Sequence, residues 1–505
     1  MIVVVSNRVA RMEADEPIAG GLASALLPVV RNSGAVWVGS SGRVREGSDK
    51  DSFAEIEALG TGALATVDLP AAHYQGFYEG FANSALWPAL HSRADLVKVT
   101  IENYTSYREV NAFMARALLR FDRGDATFWV QDYHFLTLGL ELRRLGVDRP
   151  IGFFLHTPWP ARAIMHSVPH HRDLVQAMLA YDLIGFQTDE DRQNFKDYVR
   201  HQLGFAVAGD IIVSEDSRSR LATFPIGINV DDFAARAAKA AARPEVARLR
   251  ASLQNTKLLL GVDRLDYSKG IANRIRAFDR LLLVDPSLKR QVSLLQIAVP
   301  SRGQIEAYRQ LKTELCTLVG EVNGRHADVD WMPIRYLNKG FAQSTLAGFY
   351  RAARIGLVTP LQDGMNLVAK EYVAAQNPTD PGVLVLSEFA GAAKELDAAL
   401  LVNPHDIDGM AQKISVALDM QVEERKERWR AMVAKLRSGS VQAWFSDFLS
   451  ALAEVRRPAL PATARSAQTL PFPRTERGSV QGGRLLRQAD SLITPFPRPQ
   501  DVAGR

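Results

Sequence analysis

The 505-residue sequence is poor in cysteine and in long apolar runs. Cys316 is its single cysteine, so no disulfide can form within the chain. This is typical of a reducing compartment, and we expect a cytoplasmic protein. No run of about 18 apolar residues occurs, which predicts that no helix spans a membrane. The start, Met1 to Val5, lacks the basic flank of a signal peptide and predicts a first strand instead.

Excess charge is also scarce over most of the chain. The net charge of +5 and the sequence pI of about 9.2 could suggest a nucleic-acid-binding protein. Residues 458–505, however, hold seven arginines against three acidic residues, which gives +4 and leaves about +1 for residues 1–457. A nearly neutral body predicts no nucleic-acid partner. Residues 458–505 are rich in Pro, Ser, Gln and Arg without apolar periodicity, which predicts a disordered basic tail.

Apolar strand-like runs alternate with helical patterns before that tail, which indicates crossover units and parallel sheets. We predict strands over Ile2–Ser6, Val36–Gly39, Thr127–Gln131, Ile151–His156, Leu183–Thr188, Leu258–Val262, Val292–Ala298, Ile355–Thr359 and Val383–Leu386. Helical patterns between them include Leu22–Arg31, Tyr107–Arg120, Asp189–His201, Gly270–Leu283 and Gln304–Leu318. The chain is too long to be built on a single sheet of this kind. We therefore predict an α/β protein with two Rossmann-like, doubly wound domains, residues 1–228 and 229–457.

Polar side chains follow the predicted strands in both halves. Asp132 and His156 follow strands of the first half, and Arg264 and Asp363 follow strands of the second. Ligands of doubly wound sheets bind outside the carboxyl ends of the strands. The sequence therefore predicts a ligand-binding cleft between the two domains.

The segment Asp363–Glu371 lies between a predicted buried strand and a helical pattern that stops at Asn377-Pro378. A helix that begins here offers free backbone N–H groups to a phosphate. Glu371, one or two turns further on, could accept hydrogen bonds from a ribose. Taken alone, the segment is more typical of an ordinary strand-to-helix turn.

Arginine and lysine side chains occupy similar positions. Arg264 and Lys269 follow one predicted strand, where cations could stabilise negative charge on a leaving diphosphate. Arg8 and Arg302 each close another strand, and their guanidinium groups suit a phosphate. The alternative for Arg264 and Lys269 is ordinary surface charge, and the alternative for Arg8 is a helix cap or a salt bridge. For the nearby aromatic residues Tyr78 and Trp87 the alternative is core packing.

Eight segments in order resemble the trehalose-6-phosphate synthase family of retaining glycosyltransferases, over about residues 2–455. They are Val4–Arg8, Ala19–Leu22, Leu86–Pro88, Val130–His134, Phe154–Pro158, Asp263–Gly270, Pro300–Gly303 and Asp363–Glu371. The resemblance implies the GT-B fold, in which two Rossmann-like domains face each other across a cleft. It implies transfer of glucose from a nucleoside diphosphate-glucose, expected to be UDP-glucose, to glucose 6-phosphate. It also implies a homo-oligomer.

The resemblance assigns roles to residues of this chain. The implied catalytic residues are Asp132, His156, Arg264 and Lys269. The implied donor-binding residues are Gly20, Gly21, Arg264, Lys269, Phe341, Asp363, Asn366, Leu367, Val368 and Glu371. The implied acceptor-binding residues are Arg8, Tyr78, Trp87, Asp132 and Arg302. Histidine and cysteine nowhere show metal-ligand spacing, so we predict an enzyme without metal or other cofactor.

The chain departs from the family pattern at three places. Gln131 replaces a histidine before Asp132, Gln362 replaces an arginine before Asp363, and the segment Trp37–Gly42 lacks the usual Trp-Phe-Gly-Trp order. These departures leave two alternatives open. One is a glucosyltransferase that uses glycerol 3-phosphate as the acceptor, and the other is a non-catalytic sugar-phosphate sensor.

Overall fold

The computed structural model describes residues 1–9, 21–46, 55–214 and 217–455. Gly20 and the predicted tail, residues 458–505, lie outside the described residues, so the disorder of the tail stays a prediction. No described helix combines the length and the apolar character that a membrane crossing requires.

The first half is built on a ten-stranded sheet within the described residues. Its strands are β1 Ile2–Arg8, β2 Val36–Arg45, β3 Glu55–Leu59, β4 Gly62–Pro70, β5 Thr127–Gln131, β6 Ile151–Phe154, β7 Leu183–Phe186, β8 Ala206–Ala208, β9 Ile211–Val213 and β10 Arg218–Thr223. The order is β3-β4-β2-β1-β5-β6-β7-β10-β9-β8. The seven strands from β4 to β10 in that order pair in parallel, whereas β3, β9 and β8 pair antiparallel at the two edges.

The second half is built on a six-stranded parallel sheet. Its strands are β11 Lys257–Arg264, β12 Val292–Val299, β13 Ile334–Leu337, β14 Ile355–Val358, β15 Val383–Ser387 and β16 Leu400–Val402, in the order β13-β12-β11-β14-β15-β16. The central strands are buried along nearly their whole length. This matches their continuous apolar sequences, because helices cover both faces of a parallel sheet.

Helices connect the strands in both halves. In the first half they are α1 Gly21–Ser33, α2 Ala71–Gln75, α3 Trp87–Leu90, α4 Ile101–Leu118, α5 Leu138–Arg144, α6 Arg162–Met165, α7 His171–Met178 and α8 Asp189–Tyr198. In the second they are α9 Val230–Ala240, α10 Pro244–Leu253, α11 Ile271–Val284, α12 Glu306–His326, α13 Gln343–Ala352, α14 Leu367–Ala375, α15 Ile407–Asp419, α16 Val422–Ser438 and α17 Val441–Ala453. The predicted strands and helices and the α/β fold class are thus confirmed.

Each sheet has a switch point, where the strand order reverses and the chain adds its next strands on the opposite side of a central strand. In the first sheet it lies between β1 and β5, and in the second between β11 and β14. Crevices at the carboxyl ends of strands beside a switch point are the usual ligand sites of such sheets. The topology therefore places the candidate site among the residues that follow these four strands.

A wide helical segment lies between α2 and α3. Residues Gly76–Leu86 form π-helical turns, and two side chains bond backbone carbonyls five residues earlier. Asn83 Nδ2 donates to the carbonyl of Tyr78 at 2.8 Å, and Ser84 Oγ donates to that of Glu79 at 2.6 Å. Such turns are rare and occur often at functional sites. This one carries Tyr78 and ends at Trp87.

The last helix, α17, leaves the second half and packs on the first sheet. The ring centroids of Trp129 on β5 and Phe448 on α17 lie 4.7 Å apart. Gly152 and Gly185 make this approach possible, because a Cβ on either would lie within 2.6 to 2.8 Å of the Phe448 ring. The predicted domain boundary between residues 228 and 229 stays a prediction. Helix α17 belongs to the second domain by sequence but packs on the sheet of the first.

Candidate active site

The cleft is lined from both sheets, largely by residues that follow the switch-point strands and their parallel neighbours. Among its lining side chains and backbone are Gly21, Tyr78, Trp87, Asp132, His156, Arg264, Lys269, Arg302, Phe341, Asp363, Asn366, Leu367, Val368 and Glu371. The structure therefore brings together all but two of the residues predicted from the sequence. The two are Gly20, which lies outside the described residues, and Arg8.

Arg8 ends β1 beside the cleft and does not line it. A Cβ on Gly42 would lie 2.8 Å from the Arg8 guanidinium, so the side chain passes over the end of β2. Burial raises the pKa of Tyr74, and the positive charge of Arg8 acts in the opposite direction. Tyr74 in turn stacks on Tyr78 with ring centroids 5.8 Å apart. Arg8 thus lies at the edge of the aromatic wall that contains Tyr78.

Lys269 forms the most direct ion pair in the cleft. It closes a short 3₁₀ turn after β11, and its Nζ lies 2.6 Å from Asp363 Oδ2. Asn366 Nδ2 donates to the same oxygen at 2.9 Å. Burial would raise the pKa of Asp363, but Lys269 and Asn366 outweigh it and hold that pKa below the usual range. The turn has a φ of 63° at Gly270, and a Cβ there would lie 2.3 Å from the carbonyl oxygen of Thr359. Both features require glycine at this position.

Arg302 is the most firmly held cation. It donates to Tyr308 Oη at 2.6 Å, to Tyr133 Oη at 3.0 Å and to Asp266 Oδ2 at 3.3 Å. Its guanidinium carbon lies 3.9 Å from the ring centroid of Trp87. The side chain is only 5% exposed, so these contacts fix it in one position.

Asp266 anchors this cluster and was not predicted as a site residue, although it lies inside the segment Asp263–Gly270. Its carboxylate is fully buried and also accepts from Trp87 Nε1 at 3.4 Å and from the backbone N–H of Ser268 at 3.0 Å. Burial would raise its pKa, but the charges of Arg302, Arg264 and Lys269 outweigh it, so the pKa lies below the usual range. Its role depends on tertiary contacts that sequence spacing does not report.

Asp132 has a strained backbone at the end of β5. Its φ of 74° and ψ of 167° belong to a region that non-glycine residues rarely adopt. Burial raises the pKa of its carboxyl to about 6, although hydrogen bonds from backbone N–H groups and the charges of Arg264 and Arg302 act to lower it. Arg302 and Asn366 also have positive φ, at 48° and 76°. Backbone strain of this kind concentrates at functional sites.

His156 follows β6 and lies beside Asp132, whose Oδ1 accepts its backbone N–H at 3.3 Å. The imidazole is held between two glutamines, Gln131 and Gln187. Burial lowers the pKa of His156 to about 3, so the ring is neutral at ordinary pH. Gln131 is one of the departures from the family pattern, whereas Gln187 lies in none of the segments that carry the resemblance.

Helix α14 presents its N-terminus to the cleft. Asn366 caps it, with Oδ1 accepting from the backbone N–H of Ala369 at 3.3 Å. Glu371 lies one turn further, and its carboxylate accepts from Gln343 Nε2 at 3.2 Å. Burial raises the pKa of Glu371 to about 7 despite the hydrogen bond from Gln343. A buried, weakly solvated carboxyl of this kind can accept hydrogen bonds from paired hydroxyl groups.

The loop before α14 touches the first half backbone to backbone. A Cβ on Gly364 would lie 2.1 Å from the carbonyl oxygen of His156, so only glycine fits. Gly21 likewise approaches Leu367, whose Cδ1 would lie 3.0 Å from an added Cβ. The contact at Gly364 joins the N-terminus of α14 to the strand end that carries His156, and the contact at Gly21 joins it to α1.

No group of three or more His, Cys, Asp or Glu side chains able to hold a metal occurs in the part of the chain that the structure describes. The metal-free and cofactor-free chemistry expected from the sequence stays a prediction.

Comparison with known proteins identifies the family. The model of glycosyltransferase family 20 matches residues 5–454. A trehalose-6-phosphate synthase of Sinorhizobium fredii is 42% identical over 456 residues, which cover 89% of this chain and 98% of that protein.

Two solved structures share the fold. An alpha,alpha-trehalose-phosphate synthase (UDP-forming) from Burkholderia xenovorans in complex with glucose-6-phosphate aligns with a TM-score of 0.87 and 43% identity, covering 90% of this chain and 99% of that one. A structure described as trehalose-6-phosphate from E. coli bound with UDP-2-fluoro glucose aligns with a TM-score of 0.83 and 38% identity, covering 90% of this chain and 99% of that one. The fold is therefore GT-B, and the chain belongs to glycosyltransferase family 20.

Proposed function

We infer that this chain transfers the glucosyl group of UDP-glucose to glucose 6-phosphate with retention of configuration, which gives trehalose 6-phosphate and UDP. The observation that carries the inference is the set of cations in one cleft. Lys269 pairs with Asp363 in the loop before α14, Arg302 lies against Trp87, and Arg264 lies near the same indole ring. The sequence relatives and structural neighbours are trehalose-phosphate synthases, and they give no support to a glycerol 3-phosphate acceptor or to a sensor without activity.

On the donor side, Lys269, Arg264 and the N-terminus of α14 would surround the diphosphate. When the bond between C1 of glucose and the diphosphate breaks, negative charge grows on the departing oxygen. Cations held in a buried cleft stabilise that charge without reorganisation. Glu371 would accept hydrogen bonds from the ribose hydroxyls.

On the acceptor side, Arg302 and Arg8 would bind the phosphate, with Tyr78 and Trp87 against the sugar. Asp132 would orient the attacking hydroxyl. Retention is compatible with transfer on the same face of the donor sugar, where the departing phosphate oxygen takes the proton of the acceptor hydroxyl as the new bond forms. Asp132 then needs no covalent intermediate, unlike the nucleophile of a retaining glycosidase.

The acceptor assignment predicts a strong requirement for phosphate. Unphosphorylated glucose cannot form the contacts that Arg8 and Arg302 would make with the phosphate, and each such charge-assisted contact contributes about 1.5–3 kcal/mol. We therefore expect kcat/KM for glucose to be at least about a hundredfold below that for glucose 6-phosphate. A panel of acceptors and nucleotide donors, read by nucleotide release and product identification, measures this directly.

An Arg8→Ala variant separates the two ends of the cleft. It should weaken use of glucose 6-phosphate far more than donor binding, which is measured by titration with UDP-glucose. Equal efficiency with glucose and glucose 6-phosphate would overturn the phosphate pocket. Preference for glycerol 3-phosphate would keep the pocket and overturn the product assignment.

Three further properties belong to this proposal. We expect activity to persist in a chelator because no metal is needed. We expect a homo-oligomer, which light scattering of the purified chain measures. We also expect a cytoplasmic location, for which cell fractionation is the direct test.

A further inference from the structure

A chain of hydrogen bonds runs from the backbone of Ile226 to the imidazole of His156. Ile226 lies between the two halves, and its N–H donates to Gln187 Oε1 at 3.0 Å. A backbone N–H can only donate, so the oxygen of the Gln187 amide must face Ile226. The orientation of this glutamine is therefore fixed by the main chain.

The fixed amide determines the protonation of His156. Gln187 Nε2 lies 3.2 Å from His156 Nδ1, and an amide NH₂ group can only donate. Nδ1 must therefore accept and carry no proton. The proton of the neutral ring then lies on Nε2, which is 2.9 Å from Gln131 Oε1. Gln131 Nε2 has no hydrogen-bond partner among the described residues, so the His156 proton alone orients that amide.

The same geometry disfavours a charged ring. Imidazolium would place a second N–H against the NH₂ group of Gln187, donor facing donor. The ring otherwise packs on Phe154 and Trp444, with centroids 4.7 and 5.8 Å away. Among the described residues, Asp132 is the one titratable group that bonds His156, and it accepts the backbone N–H rather than the ring.

We propose that Gln187 is a positioning residue for the transfer reaction, which holds His156 as the neutral tautomer protonated at Nε2. His156 lines the cleft and can then act toward a sugar hydroxyl only as a hydrogen-bond donor, through a proton that it shares with Gln131. This role rests on the proposed glucosyl transfer, but the tautomer itself does not. Gln131 stands where the family has histidine, so here the partner of Nε2 is a neutral amide oxygen.

The tautomer can be measured on the unaltered protein. Ring nitrogen-15 spectra of the full chain distinguish a protonated from an unprotonated nitrogen, and a His156→Asn variant identifies the signals of His156. We expect Nδ1 without a proton and Nε2 with one throughout about pH 6 to 8, the range in which free histidine titrates. A proton on Nδ1 of His156 would overturn the proposal.

Gln187→Glu tests the function of the tautomer. The carboxylate can still accept the N–H of Ile226, but it now also requires a proton on Nδ1 and raises the pKa of His156. Below that raised pKa the imidazolium still carries a proton on Nε2. Above it the neutral ring keeps its proton on Nδ1, and Nε2 can no longer donate. We therefore expect kcat of Gln187→Glu to fall by about tenfold as pH rises, because one hydrogen bond is lost. The pH profile of the wild type should show no such fall.

Gln376→Glu is the matched control. This buried glutamine also bonds backbone groups, with Nε2 donating to the carbonyl of Tyr350 at 2.8 Å, but it does not line the cleft. Its variant should change the melting temperature without adding a limb to the pH profile. A wild-type pH profile in Gln187→Glu, with the proton still on Nε2, would contradict the positioning role. Absence of glucosyl transfer in the wild type, with the expected spectrum, would instead contradict the proposed function alone.

Discussion

Two arginines of the second half approach the same indole ring of the first half in different ways. Arg302 lies 3.9 Å from the Trp87 centroid and is bonded to Asp266, Tyr308 and Tyr133. Arg264 lies 5.0 Å from that centroid and has no hydrogen bond or ion pair within the described ranges. One cation is thus built into a buried network, and the other is held mainly by its strand and the ring.

The difference indicates two ways to use a positive charge. A cation that binds an unchanging group, such as the phosphate of an acceptor, benefits from being preorganised. A cation that follows charge as it develops on a leaving group should keep its bonding capacity for the transition state. Arg302 fits the first description and Arg264 the second.

The largest effect should come from removing the cations on the donor side. Arg264→Ala and Lys269→Ala should each lower kcat by about 10²–10³, the usual cost of losing one contact to developing charge. Melting temperature should change little for Arg264→Ala because that side chain forms no hydrogen bond or salt bridge with another described residue, although its charge acts on Asp266 and Asp132. Near-normal turnover in both variants would remove the donor-site assignment.

A smaller effect should follow from removing the anchor of Arg302. Asp266→Asn should lower the free energy of unfolding by about 1.5–3 kcal/mol near neutral pH, because a buried charge loses its hydrogen-bonded partner. The native pKa of Asp266 lies below the usual range. Its stabilisation is therefore present above the unfolded pKa, about 4, and is lost as pH falls through the lower native value.

Denaturant melts of wild type and Asp266→Asn over a range of pH measure this effect. The two curves should converge in acid. A gap that stays constant with pH would show that the ion pair with Arg302 is not the source of the stability.

A still smaller effect should follow from Arg302→Lys. The charge is kept, but the planar fork that bonds Tyr133, Tyr308 and Asp266 is lost. We expect KM for glucose 6-phosphate to rise about tenfold, because roughly one hydrogen bond is lost. KM for UDP-glucose should stay within about twofold of the wild type. An equal rise in both constants would mean that Arg302 supports the whole cleft rather than the acceptor end.

The smallest effect should come from deleting residues 458–505. Their composition predicts no contribution to a packed core. Turnover and melting temperature of the shortened chain should match those of the full chain. A marked drop in either would show that these residues bind the body.

The sequence predicts the parallel core strands well because both faces of each are buried and their apolar runs are continuous. It gives no signal for the strands at and near the edges of the first sheet. Glu55–Leu59 at one edge is almost wholly exposed, and Arg218–Thr223, beside the antiparallel strands of the other edge, is mostly polar. The π-helical turns at Gly76–Leu86 also have no periodic pattern of their own, although Tyr78 lies within them.

The same limit applies to the site. Residues that end strands, such as Asp132 and Arg264, are predicted because strand ends converge at one edge of a sheet. Asp266 and Gln187 are not, because their importance arises only when Arg302 and His156 arrive from distant parts of the chain. Pattern in the sequence reports which residues reach the cleft, and tertiary contacts decide what holds them there.

The return of α17 to the first sheet has a consequence for biosynthesis. A ribosome releases the chain from its N-terminus, and domains of larger proteins generally fold as units in that order. Here Trp129, Gly152 and Gly185 lie under Phe448, which is made some 260 residues or more after them. Nascent first halves should therefore expose an uncovered apolar sheet face until synthesis is nearly complete. Protection from proteolysis in stalled nascent chains should appear only when residue 453 has left the ribosome.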